Sequence, residues 1–387
     1  MGNCKCDFHI YGLEPESNMD QFRGSQGINS NRPIEIISQN SQMSYKEQGP
    51  KLKQIKQNFE KKLPQIGNII PENDFNNIIN EEIKHYMEKN KINFQNKIPQ
   101  NISTFQFEPI KFKNNNIYFG NWNNNYQMEG YGIYYLNDNK VITEGVWIKG
   151  DIIYGRIFLP NGDIYIGEMK NSLPEGKGKY IFANKDIYEG DFKQGDMTGK
   201  GIFTYISDNT IYQGDIEKGF FKGKGKMSWN NGIEYSGDFL DSYLDGEGII
   251  TKNIQNEKYR GMFEKNEFNG KGTYYYCNGD IYEGEFEYGI KSGYGKYTRK
   301  DEVEFEGYWN DDLPNGNGTL TCKGNILKGY FRNGVFIENS ENEDNNDFFQ
   351  NINKDIKPDK ISIFPNSLPH LAISDSNASQ YISGNFI

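Results

Sequence analysis

The residues best suited to covalent chemistry stand together in Met1-Gly2-Asn3-Cys4-Lys5-Cys6. Gly2, once Met1 is removed, is the acceptor of an N-myristoyl chain, and nearby thiols accept palmitate. A myristoyl chain alone holds a membrane only marginally, whereas two acyl chains anchor a protein stably. Gly2, Cys4 and Cys6 are therefore expected to form a two-signal lipid anchor. The motif prefers Ser or Thr where Cys6 stands, and the acidic Asp7 follows it. The alternative is a terminus with two idle thiols. A metal site at Cys4 and Cys6 lacks further ligands nearby. Cys277 and Cys322 lie singly, far apart, and make no zinc or disulfide framework. No metal or cofactor is expected.

Catalytic chemistry has little to stand on. The histidines His9, His85 and His370 are scattered, and no nucleophile–base pair can be built on them. Gly195-Asp196-Met197-Thr198-Gly199-Lys200 and Gly219-Phe220-Phe221-Lys222-Gly223-Lys224-Gly225 miss the four-residue spacing of a phosphate-binding loop. Carboxylates such as Glu189, Asp191, Asp215, Asp238 and Glu285 recur at regular intervals, which reads as a solvated face more than an acid–base pair. The expectation is a binding scaffold and not an enzyme.

The same glycines and acids belong to a period. An aromatic, any residue, then Gly recurs at Tyr118/Gly120, Tyr165/Gly167, Tyr188/Gly190, Tyr212/Gly214, Tyr235/Gly237, Tyr259/Gly261, Tyr282/Gly284 and Phe305/Gly307, in steps of 23 or 24 residues from 165 onward. Nine residues after each of these glycines from Gly167 onward comes a Gly-x-Gly, as in Gly176/Gly178, Gly199/Gly201 and Gly223/Gly225. Thr143-Glu144-Gly145 fills the early gap but lacks the aromatic, has Ile153 for the first glycine of its pair, and is expected to be a distorted hairpin. Leu327-Lys328-Gly329 extends the series and is expected to cap it. Two motifs locked at one period mark a repeat array.

The unit resembles the MORN repeat, roughly Tyr-Glu-Gly-Glu-Trp, a spacer, then Gly-x-Gly; Tyr188-Glu189-Gly190-Asp191-Phe192 and Tyr282-Glu283-Gly284-Glu285-Phe286 come nearest. The resemblance covers residues 117–337 and implies roles in membrane attachment, cytoskeletal scaffolding or dimerisation, without choosing among them. A homodimer is thus one of the expected assemblies.

Within a unit, Tyr188, Gly190 and Phe192 alternate with Glu189 and Asp191, the period of a half-buried strand. The polar stretch 193–198 reads as a loop, and residues 199–203 as the partner strand. Asn-Gly pairs such as Asn231-Gly232 mark turns between units. Two strands per 23 residues leave no room for a helix. The expected fold is all-β: an elongated single-sheet meander of about nine to ten hairpin repeats, with one or two N-terminal helices and mostly disordered termini. Glycine weakens a strand unless something needs the space, so both glycines of each pair are expected to lie under aromatic rings of the neighbouring strand.

Around the array, residues 1–50 read as a disordered segment carrying the lipidation signal, 51–116 as a linker with short helices, and 338–387 as an acidic, largely disordered tail with 8 acids against 3 lysines. Residues 51–63 place Leu52, Ile55, Phe59 and Leu63 at helical spacing among Lys53, Lys56, Lys61 and Lys62. Such a helix suits anionic lipid or packing on the array's end. Residues 72–90 read as a capping or partner helix. The net charge of −10 and the lack of a basic block exclude nucleic acid as the main partner. Lys222, Lys224 and Lys226 are candidates for phosphoinositide contact. The leading expectation is a scaffold on the cytoplasmic face of a plasma or ciliary membrane, binding protein partners or lipid. The alternative is a structural component of a ciliary or cortical cytoskeleton.

Overall fold

The structure, a computed structural model, describes residues 67–337 apart from Asn101. Among these residues 23 antiparallel strands make up one sheet. The chain falls into two compact units that meet in sequence between Ser207 and Asp208. In the first, the repeats run through strands Ile117–Trp122, Met128–Leu136, Val141–Ile148, Asp151–Phe158, Ile164–Lys170, Leu173–Ile181, Ile187–Lys193 and Asp196–Tyr205. In the second they run from Thr210–Glu217 to Asn325–Arg332, and Val335–Ile337 closes the series.

The repeat beginning at Tyr188 shows how sequence makes each hairpin. Its tip is tighter than the expected loop at 193–198. Gln194 and Gly195 alone form the turn, with φ of 53° and 93°, and the return strand already starts at Asp196. Two positive φ values in succession match the twist of flanking strands. Tips are also joined in series: Gly195 N–H donates to the Pro174 carbonyl at 2.9 Å, and Gly289 N–H to that of Phe268 at 2.9 Å.

The opposite ends of the strands are held by buried acids. Asn161 accepts the amide of Asp163, shaping the turn. Asp163 in turn accepts from the Ala183 amide and the Tyr180 hydroxyl, at 2.7 and 2.6 Å. Asp280 repeats the arrangement with the Lys300 amide and the Tyr297 hydroxyl. Each such carboxylate accepts the following turn's amide with one oxygen and a strand tyrosine's hydroxyl with the other, which ties one repeat to the next.

The two glycines of each pair prove to have different reasons. Gly190 and Gly201 face each other in register, and the Tyr188 ring lies over both, so that a side chain on either would overlap it. The same ring-over-glycine contact recurs at Tyr165/Gly178, Tyr212/Gly225, Tyr235/Gly248, Tyr259/Gly272 and Tyr282/Gly295, with Phe305/Gly318 as its hydroxyl-free version. The expected aromatic cover therefore applies to the second glycine. The first is a correction: Gly199 sits at a β-bulge with φ of 69° and faces the Asp191 side chain, not a ring. A left-handed backbone, which costs little only for glycine, is its reason.

The unmatched early repeat is more regular than expected. Gly145 and Gly155 still pair, and the Ile152 side chain takes the place of the missing ring above them. Trp147 reaches across to donate to the Gly132 carbonyl at 3.1 Å. At the far end Phe336 lies over Gly329, closing the last hairpin. The segment before the repeats is not only linker and helix. Gly67–Ile69, Phe105–Gln106 and Ile110–Phe112 add short strands to the sheet. The single helix expected over 72–90 is two, Glu72–Ile78 and Glu81–Lys89, because Ile79 is extended and Asn80 caps the second by accepting from the Ile83 amide at 2.8 Å.

Candidate functional site

The repeat-defining side chains are committed to the core. Tyr118, Tyr188, Tyr212, Tyr235, Tyr259, Tyr282 and Phe305 are fully buried, and Tyr165 nearly so. Their partner glycines Gly120, Gly167, Gly190, Gly214, Gly237, Gly261, Gly284 and Gly307 lie beneath rings or against the facing glycine. Each tyrosine hydroxyl donates to the carbonyl three residues on, where the bulge frees it: Tyr188 to Asp191 at 2.9 Å, Tyr212 to Asp215 at 2.6 Å and Tyr235 to Asp238 at 2.8 Å. Burial pushes these phenols well above their ordinary range, helped at Tyr188, Tyr212 and Tyr235 by the adjoining carboxylates. Neighbouring rings meet edge to face, as Tyr235 does with Phe239 at 5.2 Å and with Phe263 at 5.1 Å.

The other face of the sheet carries the chemistry left over. Asp191, Asp215 and Asp238 point there, and each accepts the amide between the two glycines of its pair, at 3.0, 3.2 and 3.1 Å from Lys200, Lys224 and Glu247. These acids lock the bulge, a role the periodic pattern did not reveal. They also meet lysines across the strands: Lys177 to Asp191 at 2.6 Å and Lys224 to Asp238 at 2.8 Å. The Asp191 carboxyl is held below its ordinary value, first by the Lys177 bond. Lys222 meets Glu217 and Lys226 meets Glu234, so all three lysines considered for phosphoinositides face a carboxylate. Exposed pairs of this kind contribute little stability.

Over the first repeats, as far as the strand Asp151–Phe158, this face is covered by the preceding segment. Phe75 packs on Phe119, and Tyr86 on Phe158. Phe94 meets both Tyr131 and Tyr154, at 5.5 and 6.4 Å between ring centres. Arg156, 1% exposed, pairs with Glu144 and donates to the Asn90 carbonyl at 2.9 Å. That cation closes the C-terminal end of the helix Glu81–Lys89, where the helix dipole favours it. Burial pushes the Glu144 carboxyl up, while Arg156 and the Tyr131 hydroxyl pull it back. The sequence signal for this pin was the irregular repeat itself, whose outward positions carry Glu144 and Arg156.

A second residue that periodicity missed is Lys291. It occupies the place where Phe221 stacks on Tyr212 at 3.7 Å and Phe268 on Tyr259 at 3.8 Å. Its ammonium lies 4.8 Å from the Trp309 ring centre and 5.3 Å from that of Tyr297. Burial lowers its pKa to about 8, against the pull of Asp312.

Gly2, Cys4 and Cys6, and the lysines Lys53, Lys56, Lys61 and Lys62, lie outside the described residues. Among the described residues no helix is long and apolar enough to cross a membrane, and no three metal-ligating side chains gather.

The MORN repeat profile matches seven segments, 118–141, 165–187, 188–210, 212–234, 259–281, 282–302 and 305–325. No curated protein matches the chain in sequence. Among solved structures, the TCP domain of SAS-4 (dCPAP) from Drosophila melanogaster, in complex with a proline-rich motif of Ana2 (dSTIL), is similar at 13% identity and a TM-score of 0.27, over 41% of this chain and 85% of that one. The TCP10 domain of Danio rerio CPAP, in complex with a STIL peptide, gives 10% identity and 0.34 over 61% of this chain and 98% of that one. Likenesses of that size carry no functional argument. The sequence profile and the hairpin geometry agree: across residues 118–325 this chain is a MORN repeat protein, a repeat scaffold.

Proposed function

We propose that the chain is a non-catalytic scaffold, tethered to the cytoplasmic face of a plasma or ciliary membrane by acyl chains on Gly2, Cys4 and Cys6, and holding protein partners on the open face of its sheet. One observation carries the scaffold reading. The tyrosines and glycines that define the family are used up in the core, while the opposite face repeats exposed Lys–carboxylate pairs such as Lys177–Asp191, Lys224–Asp238 and Lys296–Glu304. A periodic row of this kind is the extended surface that repeat arrays offer to partners. The tether rests on the sequence Met1-Gly2-Asn3-Cys4-Lys5-Cys6 and on the need for two acyl chains.

Fractionation tests the tether. The parent chain is expected with membranes and extracted by detergent, and the Gly2→Ala, Cys4→Ser, Cys6→Ser triple variant in the soluble fraction. If parent and variant alike stay in a detergent-insoluble cytoskeletal residue, the tether is wrong and the chain is a component of a ciliary or cortical cytoskeleton.

A further inference from the structure

The position between the two glycines of each pair points to the open face, and its occupant changes along the chain. It is Lys177, Lys200, Lys224, Glu247 and Lys271 in the middle repeats. It is aromatic at Tyr131 and Tyr154, and there Phe94 lies on both rings from the short turn Phe94–Lys97. It is aromatic once more at Tyr294, in the second unit. Tyr294 pairs across the strands with Tyr308, ring centres 5.5 Å apart and planes at 80°. Two strands further on, Tyr330 holds the position equivalent to Tyr308, opposite Asn317. These three rings are 47%, 51% and 37% exposed, and no described residue plays the part of Phe94 for them.

The last described strand, Val335–Ile337, ends beside this patch. Ile337, the last described residue, pairs with Tyr330 and is itself 40% exposed. Beyond it the sequence runs through Glu338, Glu341, Glu343, Asp344 and Asp347 to Phe348-Phe349-Gln350-Asn351. Phe349-Gln350-Asn351 repeats the tripeptide Phe94-Gln95-Asn96 that seats Phe94 in the first unit. Asn93, whose side chain accepts from the Gln95 amide at 3.1 Å to shape that turn, is replaced by Phe348, which brings a second ring. Lys328 and Arg332 share the face with Tyr330 by strand alternation, so this face carries positive charge beside the end of the last strand. Twelve residues reach at most about 40 Å, while Tyr294 lies four strand spacings, about 19 Å, from the last strand.

We propose that Phe348-Phe349-Gln350-Asn351 docks on Tyr294, Tyr308 and Tyr330, with the acidic run from Glu338 to Asp347 laid along Lys328 and Arg332. The tail then covers the exposed tyrosines Tyr294, Tyr308 and Tyr330 as Phe94 covers Tyr131 and Tyr154.

Photo-cross-linking in the full chain tests this, with Phe349 replaced by p-benzoylphenylalanine. The expected product is a cross-link within one chain, to peptides holding Tyr294, Tyr308 or Tyr330. It should be lost in the Tyr294→Ser, Tyr308→Ser variant, whose melting temperature should change little because neither ring belongs to the buried core. It should also weaken at high salt as the acidic run is screened. Cross-links between two chains would assign the patch to a second copy and overturn the proposal. Cross-links spread over other repeats, or unchanged in the double variant, would overturn it as well.

Discussion

Tyr212 lies across Gly225 so closely that a β-carbon on that glycine would stand 2.6 Å from Cε2 of the ring. This contact explains why the two motifs of the repeat keep one period. The ring needs a bare backbone on the facing strand, and its hydroxyl needs the carbonyl that the bulge releases at Asp215. Tyrosine, both glycines and the acid after the first strand's glycine are thus four parts of one device.

The two glycines of a pair should respond differently to substitution. Gly199→Asn should cost about 1 kcal/mol or less, since Asn tolerates a left-handed backbone. Gly201→Asn should cost about 2–3 kcal/mol, because the new side chain enters space the Tyr188 ring fills. Chemical denaturation of both variants checks the difference.

Lys291→Phe should stabilise the protein. The buried lysine titrates at about 8, below the ordinary value of about 10.4. Between those pH values the unfolded chain holds a proton that the folded chain does not, so stability rises with pH through the window and the penalty is complete below it. Removing it should add about 2 kcal/mol at neutral pH, after allowing for the lost ring contacts of the ammonium. Melting curves of the variant should lack the rise between about pH 8 and 10.

Alkaline pH should unfold the array in one cooperative step. Tyr188, Tyr212, Tyr235, Tyr259 and Tyr282 are held well above the ordinary phenol value, first by burial. Their unfolded counterparts ionise near pH 10, so above that point the folded state alone keeps its protons and stability falls as pH rises. Tyrosinate absorbance of these residues should appear only as circular dichroism is lost.

Arg156→Met should release the helix Glu81–Lys89 from the first unit. It leaves Glu144 buried without its cation, at a cost of about 3 kcal/mol. Faster hydrogen exchange at Ile83–Lys89, with little change at the Tyr188 repeat, is the expected reading.

The array was legible in the sequence because its constraints are local and repeat: a ring, a bare backbone and a turn recur every 23 or 24 residues. The reason for Gly199 was not, since a bulge and a ring both ask for glycine and only the φ of 69° separates them. Asp163 reads like any turn acid, and its bond to the Ala183 amide reaches the turn of the next repeat. Arg156 and Lys291 appear in sequence as charges on alternating strands. What makes them structural is burial by residues far away, the helix ending at Lys89 for one and Trp309 for the other.

A double-mutant cycle on Tyr188 and Gly201 tests the central claim most directly. Gly201→Ala should cost about 2 kcal/mol in the parent, where the ring is in the way, and less than about 0.5 kcal/mol in the Tyr188→Ala background, where it is gone. An equal cost in both backgrounds would show that the glycine is not there for the ring.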